Sequence, residues 1–516
     1  MSEPGGEGRF RGGWILAAAV LGSGMVFVDG TVVNVALPVM QRALRADAAD
    51  MQWVVEAYAL FLAALLLVGG SLGDRWGRRR VFAWGTGIFA LASAACGMAP
   101  GTGWLIAARA AQGVGGALLV PGSLAILQSS FPADQRARAI GTWSGLTSVA
   151  AGIGPVVGGF LVERLSWRWA FFINVPLAAV VLAVLALHVP ETRDPSPGRP
   201  DLWGAMLGTL ALGGLAFGLT EGPRRGMGDA LVIAALAGGV LALAAFVAVE
   251  ARTREPMVPL GLFRSPVFAG ANLLTLLLYG ALSGALYFLP FDLVQVQGYG
   301  PTAAGASLLP FTVLMLLLSP RSGAWATRHG ARRPLLVGPA VAALGLALLG
   351  LGGRGGGYWA SVFPGIFVLG LGMAIAVAPL TATVMAAVEE RHAGLASGVN
   401  NAVSRTAALL AIAAMGSLAA GTFGGALDRR TERLSLPPAA RESLLRQRDR
   451  LAAAEVPAGL PAPQARAVRA ALDDSFGDAF RRVLFLCAGL ALTASAGALL
   501  IPDPRAGVGT GDRAAP

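Results

Sequence analysis

The chain contains no lysine, only two cysteines and only three histidines in 516 residues. Cys96 and Cys487 both lie inside apolar runs, which excludes a disulfide framework, and no spacing of His, Cys, Asp or Glu suits a metal. Charge is scarce: 13% of residues are charged against 55% hydrophobic, and the mean hydropathy is +0.65. A soluble protein with a solvated surface is not that apolar. The polar–apolar alternation of a membrane β-barrel is missing. A convergent nucleophile, base or metal cluster is missing too, so neither an enzyme nor a cofactor is expected.

What the chain has in abundance is apolar runs of about twenty residues, each long enough to cross roughly 30 Å of hydrocarbon as a helix. Read against their breakers, they predict about fourteen spans. Six lie near 14–38, 52–72, 81–99, 104–128, 139–162 and 169–188. Two more lie near 202–220 and 230–249. The last six lie near 267–290, 302–320, 334–352, 359–385, 396–424 and 482–501. Polar linkers at 190–201 and 250–266 group them, giving an all-α integral membrane protein of two six-helix bundles, 14–188 and 267–501, with two extra helices in 189–266. Residues 1–13 and 502–516 are expected as cytoplasmic ends.

All 40 basic residues are Arg, and the net charge is +11. They sit in short clusters between apolar runs, which argues for membrane orientation and against nucleic acid. With the N-terminus inside, the cytoplasmic loops carry more than twice the Arg of the short outer loops, so both termini are expected in the cytoplasm. The Arg-rich stretch of about 425–481 is then an extracytoplasmic loop, with amphipathic helical pattern near 441–456 and 465–480.

An internal repeat supports two duplicated halves. Gly70-Ser-Leu-Gly-Asp-Arg-Trp-Gly-Arg-Arg-Arg80 recurs, degenerate, as Gly323-Ala-Trp-Ala-Thr-Arg-His-Gly-Ala-Arg-Arg333, after the second span of each half. Gly73 and Gly77 are expected to form a tight turn, with Asp74 capping a helix or pairing with Arg75 or Arg78. This loop resembles the signature between helices two and three of the major facilitator superfamily. Asp29-Gly-Thr-Val-Val-Asn-Val-Ala-Leu-Pro38 and Ser166-Trp-Arg-Trp-Ala-Phe-Phe-Ile-Asn-Val-Pro176 are similar to signatures of its fourteen-span drug:proton antiporters, the EmrB/QacA type. In the fifth span Gly154, Pro155, Gly158 and Gly159 match the core of the antiporter motif, with Ala150 standing where its second Gly belongs. The resemblance implies a major facilitator fold, a cytoplasmic gate at Gly73, Asp74, Arg75, Gly77 and Arg78, and export rather than import.

Charged residues within spans are few, and each is a functional candidate. Arg109, Gln112, Gly113 and Gly116 share one face of the fourth span. The resemblance implies proton coupling for Arg109. Asp29 and Glu56 are candidate proton carriers, because a carboxyl among apolar helices can take up and release a proton in the working range. Asn34, Gln112, Tyr279, Asn400, Asn401 and Arg405 are candidate cavity residues. The expected function is proton-coupled antiport of amphiphilic drugs or related small molecules across a bacterial cytoplasmic membrane by alternating access. Protons, the small molecule and the lipid bilayer are its expected partners. A dedicated natural-product exporter is one alternative and a proton-coupled uptake permease another.

Overall fold

The structure is a computed structural model that describes residues 5–194, 200–352, 357–389 and 393–501. The described residues are helical, without strands. In chain order the helices are α1 (Gly5–Ala43), α2 (Ala48–Trp76), α3 (Arg78–Gly97), α4 (Thr102–Ser130), α5 (Ala133–Arg164), α6 (Trp169–Phe172), α7 (Asn174–His188), α8 (Leu202–Arg225) and α9 (Ala230–Glu250). There follow α10 (Pro266–Phe291), α11 (Pro301–Ala306), α12 (Leu309–His329), α13 (Arg332–Leu351), α14 (Gly357–Ser361), α15 (Phe363–Ala386), α16 (Ala393–Thr431), α17 (Pro438–Leu445) and α18 (Ala462–Gly497).

Among the described residues, thirteen helical runs are long and apolar enough to cross a membrane. The twenty-residue α3 is not among them, because Arg78–Arg80 and its many small residues dilute its hydropathy. Counting α3 gives the fourteen spans expected, α6 with α7 forming one and α11 with α12 another. The expected loop over 425–481 is shorter in the structure. Helix α16 continues to Thr431, and α18 begins at Ala462 and runs unbroken into the last span. The amphipathic stretch at 465–480 is therefore the first half of a spanning helix, and only residues 432–461 connect the two.

The chain divides into two compact units. The first holds Met1–Met257, Tyr287–Ala306 and Ile412–Ala479; the second holds Val258–Leu286, Ser307–Ala411 and Phe480–Pro516. In the first unit α2 and α3 pack on α4, α1 packs on α5, and α8 pairs with α9 while resting on α2. Its core includes Met25, Leu62, Phe82, Phe89, Leu119 and Val181. In the second, α12 and α13 pack on α15. Glycines let these backbones approach: a Cβ on Gly113 would stand 2.5 Å from the Tyr58 carbonyl oxygen, and one on Gly345 would stand 2.3 Å from the Leu369 amide nitrogen. Small residues at contacts are how helices associate where lipid supplies no hydrophobic drive.

The sequence repeat has a backbone counterpart. Helix α2 ends at Gly77, with φ +108°, and α12 ends at Gly330, with φ +92°. Both left-handed positions break one helix and start the next one or two residues later, and only glycine takes them without steric cost. Gly73, in contrast, lies within α2, so the turn is made by Gly77 alone. The two glycines should therefore respond with opposite signs. Gly77→Ala, meeting positive φ and a Glu191 oxygen 2.5 Å from its Cβ, is expected to cost at least about 1–2 kcal/mol. Gly73→Ala, with nothing within 4 Å of its Cβ, should be neutral or gain up to about 1 kcal/mol. Thermal unfolding of the purified variants in detergent checks both signs.

Candidate functional site

The site grows from Asp29, near the middle of α1. No solvent reaches it: its exposure is 0%, and that of Arg109 is 1%. Arg109 Nη1 lies 2.5 Å from Asp29 Oδ2, and the same nitrogen donates to Gln112 Oε1 at 2.8 Å. Gln112 Nε2 returns a bond to Asp29 Oδ1 at 2.8 Å, which Asn174 Nδ2 also reaches at 3.1 Å. Arg109 Nε donates to the Val54 carbonyl at 2.9 Å, and the guanidinium carbon sits 4.2 Å from the centre of the Tyr58 ring. Cys96 Sγ is 3.7 Å from Gln112 Oε1.

Helical spacing explains why these groups meet. Arg109 and Gln112 are one turn apart on α4, so one face carries the cation and the amide that fixes its geometry. On α2, Val54 and Tyr58 are also one turn apart and face α4 across Gly113. Asn174 enters because the sixth span is interrupted at Ile173, so α7 opens with Asn174 at its first residue. Four helices, α1, α2, α4 and α7, thus converge on one buried ion pair. Asp29, Arg109 and Gln112 were all expected site residues; Asn174 and Tyr58 were not. The Asn-Val-Pro stretch gives a family signature without a role, and nothing in the sequence marks Tyr58.

Glu56 sits elsewhere. Two residues from both Val54 and Tyr58, it points about 160–200° away around the helix from the face that meets Arg109. Its buried carboxyl accepts from Thr220 Oγ1 of α8 at 3.0 and 3.3 Å. At the start of α2, Asp47 caps the helix together with Asp50. Arg224 of α8 donates to Asp47 at 2.9 Å. Beside this cluster, Asp449 is pushed above the usual carboxylate range, first by burial and then by Asp47, against the pull of Arg224 and Arg448.

At the α2–α3 turn, Asp74 pairs with Arg78 at 2.8 Å, while Arg75 is exposed. The cap on α3 comes from a residue the sequence did not single out. Glu191, in the linker after α7, accepts from the backbone amides of Arg79 at 3.1 Å and Arg80 at 3.2 Å. A carboxylate suits a helix N-terminus. The same linker exchanges Arg78 N to Thr192 O at 2.9 Å and Asp194 N to Asp74 O at 3.1 Å. The signal available was the bare N-terminus that Gly77 creates, which needs an acceptor.

The fifth-span glycines are contact points. A Cβ on Gly154 would lie 2.1 Å from Thr31 Oγ1 and one on Gly158 would lie 2.9 Å from Val32 Cα, both on α1. A Cβ on Gly159 would lie 2.3 Å from the carbonyl of Pro301, where α11 starts, and one on Gly305 would lie 2.0 Å from the Pro155 carbonyl. Of the cavity candidates, Asn34 is half-buried on α1 and Tyr279 half-buried on α10. Asn400 Nδ2 is occupied by Asn272 at 3.1 Å and Thr275 at 2.7 Å. Asn401 is exposed and bonds its own helix at Ser397, and Arg405 is half-buried on the same helix. Among the described residues no group of His, Cys, Asp and Glu could hold a metal.

A many-span helical protein with a buried, shared ion pair and two duplicated halves defines a membrane transporter of the major facilitator type. The chain belongs to the Major Facilitator Superfamily, whose family model matches residues 19–412. It is 34% identical over 503 residues to the tetracenomycin C resistance and export protein of Streptomyces glaucescens, covering 95% of this chain and 92% of that one. It is 36% identical over 430 residues to multidrug resistance protein Stp of Mycobacterium tuberculosis, covering 83% and 80%. Among solved structures, a bacterial homologue of the human lysosomal transporter Spinster, crystallised inward-facing and unoccupied, aligns over 97% of this chain and 98% of its own with a TM-score of 0.66. At 18% identity that likeness carries the fold alone.

Removing one partner of the buried pair leaves an uncompensated charge, so Arg109→Ala is expected to destabilise by about 3–5 kcal/mol. The double variant Asp29→Leu with Arg109→Leu should cost clearly less than the two single replacements summed. Chemical unfolding of the four proteins in detergent gives the coupling directly.

Proposed function

We propose that the protein exports amphiphilic drugs or related small molecules across the cytoplasmic membrane in exchange for protons, by alternating access, with both termini in the cytoplasm. The observation that carries this reading is the buried Asp29–Arg109 pair, a titratable acid held by a permanent cation where four helices meet. The names of the relatives support export, and the Arg-rich inner loops support the orientation. On that orientation the α1–α2 turn lies at the outer face.

Protonation of Asp29 is the coupling step. It removes the negative charge, and the guanidinium then relies on the Val54 carbonyl, Gln112 Oε1 and the Tyr58 ring. These three are present before the proton arrives, so the cation is never left bare, which a buried charge could not tolerate. What weakens is the tie from α1 to α4, and with it the preference for one of two states. A ligand shifts such an equilibrium only by its differential affinity for the two states. Each charge carried through the full potential contributes about 2.3 kcal/mol per 100 mV, enough for roughly fiftyfold accumulation. Asn34, Gln112, Tyr279, Asn401 and Arg405 remain candidates for contact with the small molecule. Gln112, with both ends of its amide engaged, acts first through the ion pair.

A dedicated exporter of one natural product is a second reading, favoured by the near full-length match to an antibiotic export protein. Inverted vesicles energised to an acidic lumen separate these possibilities, with ethidium and tetracenomycin C as probes. A broad pump accumulates both, a dedicated one takes only a compound of its own class, and in either case a protonophore abolishes accumulation. Asp29→Asn should lower accumulation to the protonophore-treated level. Uphill uptake that survives the protonophore, or an undiminished Asp29→Asn variant, would refute proton coupling at this pair.

A further inference from the structure

In the sequence, helices α8 and α9 fall between the duplicated halves, and nothing in the two-bundle scheme requires them. Their contact is close and self-contained: a Cβ on Gly214 would stand 2.7 Å from the Ala235 carbonyl oxygen, and one on Gly239 would stand 2.8 Å from the Leu215 amide nitrogen. Only α8 leans on α2, and it does so with the last turns that precede its end at Arg225.

Toward the end of α8 that contact is polar, while farther along a Cβ on Gly213 would stand 3.4 Å from Leu60 Cδ2. Arg224 of α8 bridges Asp47 at 2.9 Å and Asp50 at 4.0 Å. Next along the helix, Glu221 accepts from the Trp53 indole at 3.1 Å and from Arg225 at 3.1 Å, while Phe217 packs on Trp53 with ring centres 6.1 Å apart. Deeper still, Thr220 donates to Glu56. Asp47, Asp50, Trp53 and Glu56 recur every three residues, so the seam descends from the helix end to Glu56, about 12–14 Å inside at 1.5 Å per residue.

Glu56 differs from the other carboxyls of this seam. Asp47, Asp50 and Glu221 each have an Arg within 4.0 Å. Glu56 is wholly buried, and among the described residues its partner is the Thr220 hydroxyl, with no Arg within 4.0 Å. The other charged groups of this seam are Asp47 and Asp50 at the start of α2 and Glu221, Arg224 and Arg225 on α8, and Tyr287 of α10 lies within electrostatic range of the carboxyl. A buried carboxyl without a counter-charge can bind a proton with no ion pair to break, unlike Asp29.

We propose that α8 is a working part of a second proton-binding site, in which Thr220 is the positioning residue for Glu56 and the Trp53–Glu221–Arg224 seam connects that carboxyl to the helix-end surface. The assignment of proton coupling to this protein underlies the inference, but the site itself is separate from the Asp29–Arg109 pair. A hydroxyl donor to both carboxylate oxygens holds the ionised form in place and fixes its orientation. Without it, Glu56 binds its proton more tightly and in a different hydrogen-bonding environment.

Infrared titration of the full chain in proteoliposomes reads protonated carboxyls directly and needs no transported substrate. The expected result is a carboxylic C=O band that titrates in the wild type and is lost in Glu56→Gln. In Thr220→Val the same band should shift in frequency and titrate about one pH unit away from the wild type, a tenfold change in proton affinity or about 1.4 kcal/mol. Thr220→Ser should restore both properties, and the melting temperature of each variant shows that it is folded. Absence of any Glu56-dependent band overturns the site, and a Glu56 band unmoved in folded Thr220→Val overturns the role of α8. An Asp29-dependent band measured in the same films is independent of both outcomes. Its absence would count against coupling at Asp29 and leave Glu56 to be judged on its own.

Discussion

A charge buried among apolar helices must be paired and hydrogen-bonded, and the Asp29–Arg109 pair organises this structure around that requirement. Polar groups from three helices serve it: Gln112 contacts both members, Asn174 the carboxylate, and the Val54 carbonyl and Tyr58 ring the cation. The helices that bring these groups together must approach closely, which accounts for Gly113 against the Tyr58 backbone and for Gly154 and Gly158 against α1. The pair therefore constrains helix spacing as well as electrostatics. An isolated ion pair of this kind contributes little net stability compared with an apolar core, which is why the proposed function gives it a working role.

The α2–α3 turn obeys a related rule. A helix that starts directly after another leaves its first amides without partners. Gly77 allows the abrupt restart of α3, and Glu191 supplies the acceptor from a linker more than a hundred residues downstream. Asp74 and Arg78 then close the turn on themselves. The loop motif and the linker after α7 are tied into one structural piece by hydrogen bonds on both sides of Gly77.

Much of the fold was legible in the sequence because lipid makes apolar run length an almost direct measure of helix span. The duplicated loop also fixed where each half turns, and Gly77 and Gly330 adopt the matching conformation. Legibility failed where helices continue past the hydrocarbon. The polar beginning of α18 and the polar end of α16 read as loop, since hydropathy marks the membrane rather than the helix. At the site, Asp29, Arg109 and Gln112 stood out because charge and amide are costly in a span. Glu56 stood out for the same reason, but the side of α2 that meets α4 could not be told from the side that meets α8. Asn174, Thr220 and Glu191 were invisible for a different reason: a small polar residue or a linker acid acquires its role only from a partner far away in sequence.

The central claim is that Asp29 exchanges a proton while Arg109 stays charged. A pH jump applied to proteoliposomes on a solid-supported membrane, with no transported compound present, measures charge displacement caused by proton binding alone. The account predicts a transient current in the wild type that is sharply reduced in folded Asp29→Asn and reversed in sign when the jump is reversed. A current of wild-type size in Asp29→Asn would contradict it.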